Sequence, residues 1–170
     1  MIIRAEALDD YDAIAEVNRA AFGGDAEARL VAWLRADRQV IASLVAVDES
    51  GQIVGHILFS PATILAGTDE RQVASLAPMA VVPAHQRRGI GSMLVERGLQ
   101  ACKLAGYRAV IVVGHPDYYP RFGFSAALVA RLENPFAAGD AFMGLELARG
   151  SLTDLNDGRI VYPAAFTYLS

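Results

Sequence analysis

Met79-Ala80-Val81-Val82-Pro83-Ala84-His85-Gln86-Arg87-Arg88-Gly89-Ile90-Gly91 is the stretch whose reading decides the fold. An apolar run halts at Pro83, which has no N–H to continue a ladder, and two glycines flank the first apolar residue of a long helical pattern. A strand that hands the chain to a helix in this way builds an anion cradle. Backbone N–H groups at a helix start lack intrahelical partners and sit at the positive end of the helix dipole, and glycine lets a pyrophosphate approach the backbone closely. The spacing is neither the dinucleotide fingerprint G-x-G-x-x-G nor the P-loop G-x-x-x-x-G-K followed by Ser or Thr. Taken alone, a G-x-G after a strand also describes an ordinary surface turn before a helix.

Downstream of the cradle, Glu96, Gln100 and Lys103 mark a polar stripe and leave wide apolar surfaces around Leu94, Val95, Leu99 and Cys102, so the helix at 89–105 is mostly covered by protein. Gly106 serves as its stop, and 109–113 is a short apolar strand of the type buried in a parallel pair. Strand, helix and strand make one βαβ unit. Upstream, 41–47 and 52–60 read as an antiparallel hairpin turned at Asp48-Glu49-Ser50-Gly51, and a loop at 66–70 leads into a strand at 73–82. Ile2 and Ile3 open a first strand. Two helices follow, one capped by Asp9 or Asp10 and carrying Ile14, Val17 and Ala21, the other carrying Leu30, Val31 and Leu34 after the Gly23-Gly24 break. Behind the βαβ unit come a turn at Asn134-Pro135, an alternating strand at 142–147 and an apolar piece at 160–163. The order β-α-α-β-β-β-α-β with further strand behind it is an α+β fold with a mixed sheet.

With 170 residues the chain is the size of one domain that can bury a core without disulfides or metals. The lone Cys102 can form no internal disulfide or cysteine zinc site, which favours a reducing, cytoplasmic setting. Met1-Ile2-Ile3-Arg4-Ala5-Glu6 does not read as a signal peptide, and no uncharged apolar run approaches the roughly 18 residues of a membrane span. A formal charge of −4 offers no general attraction to nucleic acid.

The cradle and its setting resemble the GNAT superfamily of N-acetyltransferases, whose signature is [Q/R]-x-x-G-x-[G/A] after a strand ending in a V-x-P-like turn. Gln86, Gly89 and Gly91 match that signature in register, and the element order matches over about residues 1–125. Tyr119-Pro120-Arg121-Phe122-Gly123-Phe124 is similar to the family's Tyr-x-x-x-Gly-Phe element. The longer string from Gly114-His115-Pro116-Asp117-Tyr118, with Tyr162-Pro163-Ala164-Ala165-Phe166 near the end, resembles the YhbS-like branch.

The resemblance implies a single domain over 1–170, with a core at about 1–125 and with 126–170 completing the sheet and the acceptor side. It implies a mixed, largely antiparallel sheet whose fourth and fifth strands run parallel and then splay apart. Acetyl-CoA is then the co-substrate, its pantetheine held by the amides of Met79, Ala80 and Val81 and its diphosphate by Arg87, Arg88, Gly89, Ile90, Gly91 and Ser92, with Gln86 also among the cofactor-binding residues. No metal is implied. A primary amine, carried on a small molecule, attacks the thioester directly, and Tyr119 protonates the departing thiolate, with Tyr118 the rival phenol. Relatives often form dimers, so a homodimer is one option.

The base is less plain. Several relatives carry a glutamate in the fifth strand, where this chain has Val112 and Val113. His115, at the end of that strand, is a candidate base by residue type, although His-Pro is also a common turn. Glu70 and Asp117 are loop carboxylates that act at most through water, His56 reads as a packing or hydrogen-bonded residue, and Cys102 as a small hydrophobe rather than a nucleophile. Two further readings stay open: an acyl-CoA-binding sensor or scaffold that has lost catalysis, and a protein N-terminus or lysine as the acceptor.

Overall fold

The computed structural model describes residues 1–136 and 139–169. In chain order the elements are β1 (Ile2–Ala5), α1 (Tyr11–Phe22), α2 (Ala26–Ala36), β2 (Ala42–Val47), β3 (Ile53–Ala66), β4 (Asp69–Val81), α3 (Ile90–Leu104), β5 (Ala109–Val113), β6 (Leu132–Glu133), β7 (Phe142–Glu146) and β8 (Gly158–Val161), with short 3₁₀ turns between. Among the described residues eight strands form one sheet in the order β1-β2-β3-β4-β5-β7, and β8 lies beside the far half of β3 with β6 at its edge. Pairing is antiparallel except for β4 with β5 and β6 with β8. This is the mixed α+β architecture expected, with the parallel β4/β5 pair at its centre.

The second hairpin, the last strand and the role of Asp10 differ from the sequence reading, the piece read at 160–163 being β8 at Gly158–Val161. The second hairpin is longer: β3 runs on through Pro61 to Ala66 and β4 starts at Asp69, leaving only a tight turn where a loop was expected. Pro61 ends nothing because it falls between the stretch of β3 paired with β2, through Phe59, and that paired with β8, from Thr63. Asp10 also differs, because it makes no side-chain cap on α1. Its carboxylate accepts the Ala7 N–H at 2.7 Å and pairs with the Arg4 guanidinium at 2.7 and 3.1 Å, which holds it below the usual carboxylate range.

Alternation along the strands sends side chains to two faces, and each face has its own helices. On one, Leu94, Val95 and Cys102 of α3 pack against Ala46, Ile57 and Phe59. The contact at Gly98 is so close that an added Cβ would lie 2.1 Å from the Phe59 ring, so glycine sets the distance from helix to sheet. On the other, Ile14, Leu30, Val31 and Leu34 of α1 and α2 meet Val45, Leu58 and Phe166.

A largely buried polar chain ties the segment just after β1 to α1, α2, β2 and β3. Glu6 receives Arg35 through hydrogen bonds of 2.8 and 3.0 Å and accepts the Ser43 hydroxyl. Ser43 Oγ lies 2.9 Å from His56 Nε2, and Asn18 Nδ2 lies 3.2 Å from His56 Nδ1. Since Ser43 donates to Glu6, it accepts from Nε2–H, while Asn18 donates to Nδ1, so both ring nitrogens of His56 are satisfied in the neutral imidazole. His56 is thus the hydrogen-bonded residue expected. Burial, with a smaller contribution from Arg35, pushes its pKa from the usual 6.5 to about 3.

Stability should follow. Between pH 6.5 and 3 the unfolded chain binds a proton that the native chain excludes, so this contribution is complete above 6.5 and is lost as pH falls. Between pH 6.5 and 5, before most carboxylates titrate, stability is expected to fall with a slope of up to about 1.4 kcal/mol per pH unit. Chemical denaturation of wild type and His56→Gln across that window should show a flatter line for the variant. Equal slopes would show that His56 is not the source.

Candidate active site

The site begins where β4 stops pairing with β5. The parallel register covers only Ala74 to Leu76, opposite Val110 to Val112. Immediately afterwards the partnership with β3 slips, Ile57 facing Met79 and Phe59 facing Leu76, so that Ala77 and Pro78 together oppose Leu58. This is a β-bulge, which bends a strand and ends local pairing. The gap between β4 and β5 therefore opens at Pro78, a residue with no N–H to offer. A proline inside the apolar run at 73–82 was the sequence signal for it.

Beyond the bulge, register decides which backbone groups face the gap. Val82 N–H donates to Val54 O at 2.9 Å, and Ala80, opposite His56, is in phase with Val82. The Ala80 amide is thus turned to β3, and the Met79 and Val81 amides face the free edge. Of the three amides expected there, two have that geometry. The Gln86 side chain donates to Val81 O at 2.9 Å, so its amide braces the end of the strand.

The cradle follows. A 3₁₀ turn at Pro83–His85 leads to Arg87 at φ 63° and Gly89 at φ 81°, the latter capping α3. Left-handed residues alternating with others aim successive N–H groups into one concavity, and a non-glycine held there costs on the order of 1–3 kcal/mol that a functional site characteristically retains. A cavity of about 610 Å³ opens above, walled by Met79, Arg87, Gly91, Ser92, Tyr118 and Arg121 among others. Ala80, Val81, Gln86, Gly89 and Ile90 also line it, whereas Arg88 does not. In its place stands Arg121, whose guanidinium lies 4.4 Å from the centre of the Tyr118 ring and donates to Tyr118 O at 2.9 Å. His85 also reaches this wall, with Nδ1 buried and unpartnered among the described residues.

A second cavity of about 430 Å³ fills the splay, between Leu76–Met79 and Val113–His115. Both tyrosines line it. The Tyr118 hydroxyl lies 3.1 Å from Ser92 Oγ, and Tyr118 lines both cavities. Tyr119 is 6% exposed, stacked edge-on against Tyr118 and Phe124, and burial, then the Tyr118 hydroxyl, pushes its phenol up to about 12. It therefore holds its proton at neutral pH. His115 is exposed on this wall, and its carbonyl accepts the N–H groups of Tyr118 and Tyr119 at 3.1 and 3.3 Å, setting the turn that carries both phenols.

Other residues fall away from the chemistry. Cys102 is fully buried and its thiol is pushed up to about 12 by burial, which leaves it unreactive. Glu70 and Asp117 line neither cavity. Among the described residues no group of His, Cys, Asp and Glu could hold a metal, and no helix is long and apolar enough to cross a membrane. One residue that sequence reasoning missed is Glu27, in the first turn of α2, whose Oε2 is buried and unpartnered among the described residues on the wall of the second cavity.

Comparison with known proteins agrees with this geometry. The model of the acetyltransferase (GNAT) domain matches residues 2–127. The uncharacterized N-acetyltransferase YhbS of Escherichia coli strain K12 is 39% identical over 127 residues, 75% of each chain. The crystal structure of Escherichia coli YhbS in complex with CoA superposes with a TM-score of 0.88 at 34% identity, covering 98% of this chain and 91% of that one. A GNAT family acetyltransferase from Brucella melitensis in complex with acetyl-CoA gives a TM-score of 0.78 at 37% identity, with 97% of each chain covered. With the family model over residues 2–127, the motifs, the sheet splay and the relatives in agreement, the chain belongs to the GNAT family of acetyltransferases.

Proposed function

We propose that this acetyltransferase moves the acetyl group of acetyl-CoA to the primary amine of a small molecule by direct attack in a ternary complex. The observation that carries the reading is the free edge of β4: it faces a cradle cavity on one side of Tyr118 and a splay cavity on the other, so donor and acceptor can meet across it. The chain fits the donor. The nest at Arg87–Gly89 and the start of α3 suit a diphosphate, with Arg87 and Arg121 on the wall, and the Met79 and Val81 amides suit an extended pantetheine and a polarised thioester carbonyl. The acetyl-CoA and CoA complexes of the Brucella melitensis and Escherichia coli relatives support the same donor.

In this reading Tyr119 is the general acid, its neutral phenol giving a proton to the thiolate as the C–S bond breaks, and Tyr118 positions the donor through Ser92. Buried Cys102 leaves no acyl-cysteine route, so the amine attacks without an enzyme-bound acetyl group. The reaction belongs in the cytoplasm, where a free thiol stays reduced.

The test is thiol release from acetyl-CoA with and without an amine panel, the product read by mass spectrometry. Amine-dependent release with a mass gain of one acetyl is expected. Tight acetyl-CoA binding with no amine-dependent release would instead favour a sensor, for which the absence of a carboxylate at Val112 and Val113 speaks.

A further inference from the structure

Glu27 is the only carboxylate among the described residues lining the splay cavity, and one of its two oxygens, Oε2, is buried with no hydrogen-bond partner among the described residues. A buried carboxylate oxygen without a donor is costly and uncommon in native proteins, and of the buried unpartnered oxygens among the described residues only that of Glu27 belongs to a side chain that also lines this cavity, where a cationic ligand can offset the cost. The rest of that wall is chiefly apolar: Phe22 from α1, Leu30 from α2, Leu76 and Met79 from β4, Val113 from β5 and Leu169 from the C-terminal 3₁₀ helix. One carboxylate in an apolar pocket does not suit a polycation, whose further charges would be buried unpaired.

We infer that the acceptor is a small amine with a single cationic nitrogen and an apolar body, and that Glu27 holds the ammonium and takes its first proton. The inference rests on the acetyl-transfer reading. The proton balance closes. Glu27 accepts one proton from R–NH₃⁺, and the freed nitrogen bonds to the thioester carbonyl carbon. The C–S bond then breaks, Tyr119 protonates the sulfur, and the second proton leaving nitrogen restores Tyr119. One proton leaves in net, through Glu27 to solvent. This supplies the base that β5 lacks, from the opposite wall of the splay.

The test compares 2-phenylethylamine, tyramine, tryptamine and isoamylamine with spermidine and kanamycin, in wild type, Glu27→Gln and Glu27→Asp, using acetyl-CoA as donor. At least one monoamine is expected to exceed both polycations in kcat/KM by about 10-fold or more. Glu27→Gln is expected to lower kcat/KM for that amine by on the order of 10²-fold, chiefly through KM at neutral pH, with partial recovery in Glu27→Asp. Acetyl-CoA affinity by calorimetry should be unchanged in both variants, which also shows that they fold. A preference for spermidine or kanamycin, or a Glu27→Gln enzyme equal to wild type, overturns the Glu27 assignment and leaves acetyl transfer standing. No transfer to any amine, with acetyl-CoA bound, overturns both.

Discussion

Replacing Gly91 with valine is expected to weaken acetyl-CoA binding by about 10²-fold, equivalent to about 2.7 kcal/mol, while the protein stays folded. A Cβ at this position would lie 3.1 Å from Tyr118 Oη and 3.3 Å from Met79 Sδ, both on the wall of the cradle cavity. Valine's two further methyls cannot be absorbed by those neighbours and must extend into the cavity or displace Tyr118 from Ser92. The position is half-buried at a cavity wall, so the cost to the fold should be small. Gly91→Ala meets the same atoms with one carbon and should lose much less. Isothermal titration with acetyl-CoA, beside thermal melts of the unliganded variants, checks this. A folded Gly91→Val protein with wild-type affinity would show that the donor does not lie against Gly91.

Most of the scaffold was legible because its signals are local and chemical. Pro83 and Gly89 stop a strand and start a helix for reasons that act within a few residues, and Gly89 does occupy the left-handed region, at φ 81°. What the sequence hid was mainly relative placement. That the Ala80 amide serves β3 while those of Met79 and Val81 face the gap is a matter of hydrogen-bond phase, fixed by the β3 register and by the bulge at Ala77 and Pro78. Arg121 takes a place on the cradle wall and Arg88 does not, a difference made by the fold of the turn after β5 rather than by spacing along the motif. Glu27 was invisible for a related reason. A glutamate in the first turn of a helix is ordinary dipole chemistry in sequence, and only the tertiary fold puts this residue on a cavity wall with one of its oxygens buried.

Tyr119→Phe is expected to lower kcat on a verified amine by about 10²-fold or more, with acetyl-CoA affinity changed no more than a few-fold, because general acid catalysis typically contributes about 10² to 10⁴. The change removes one oxygen from a ring whose packing against Phe122, Phe124 and Tyr118 is otherwise kept. Tyr118→Phe is the informative contrast. It loses the 3.1 Å contact with Ser92 at the junction of the two cavities, so its deficit should appear in acetyl-CoA affinity rather than in kcat. The two phenols are therefore separated by which constant moves. If Tyr118→Phe carries the kcat loss and Tyr119→Phe does not, the proton donor is the half-buried phenol at the junction. Tyr119 then acts only as the packed wall against which Gly114 closes, where an added Cβ would fall 2.4 Å from its ring. If neither substitution slows turnover, the thiolate leaves without a phenol and the acid role has no occupant in this cleft.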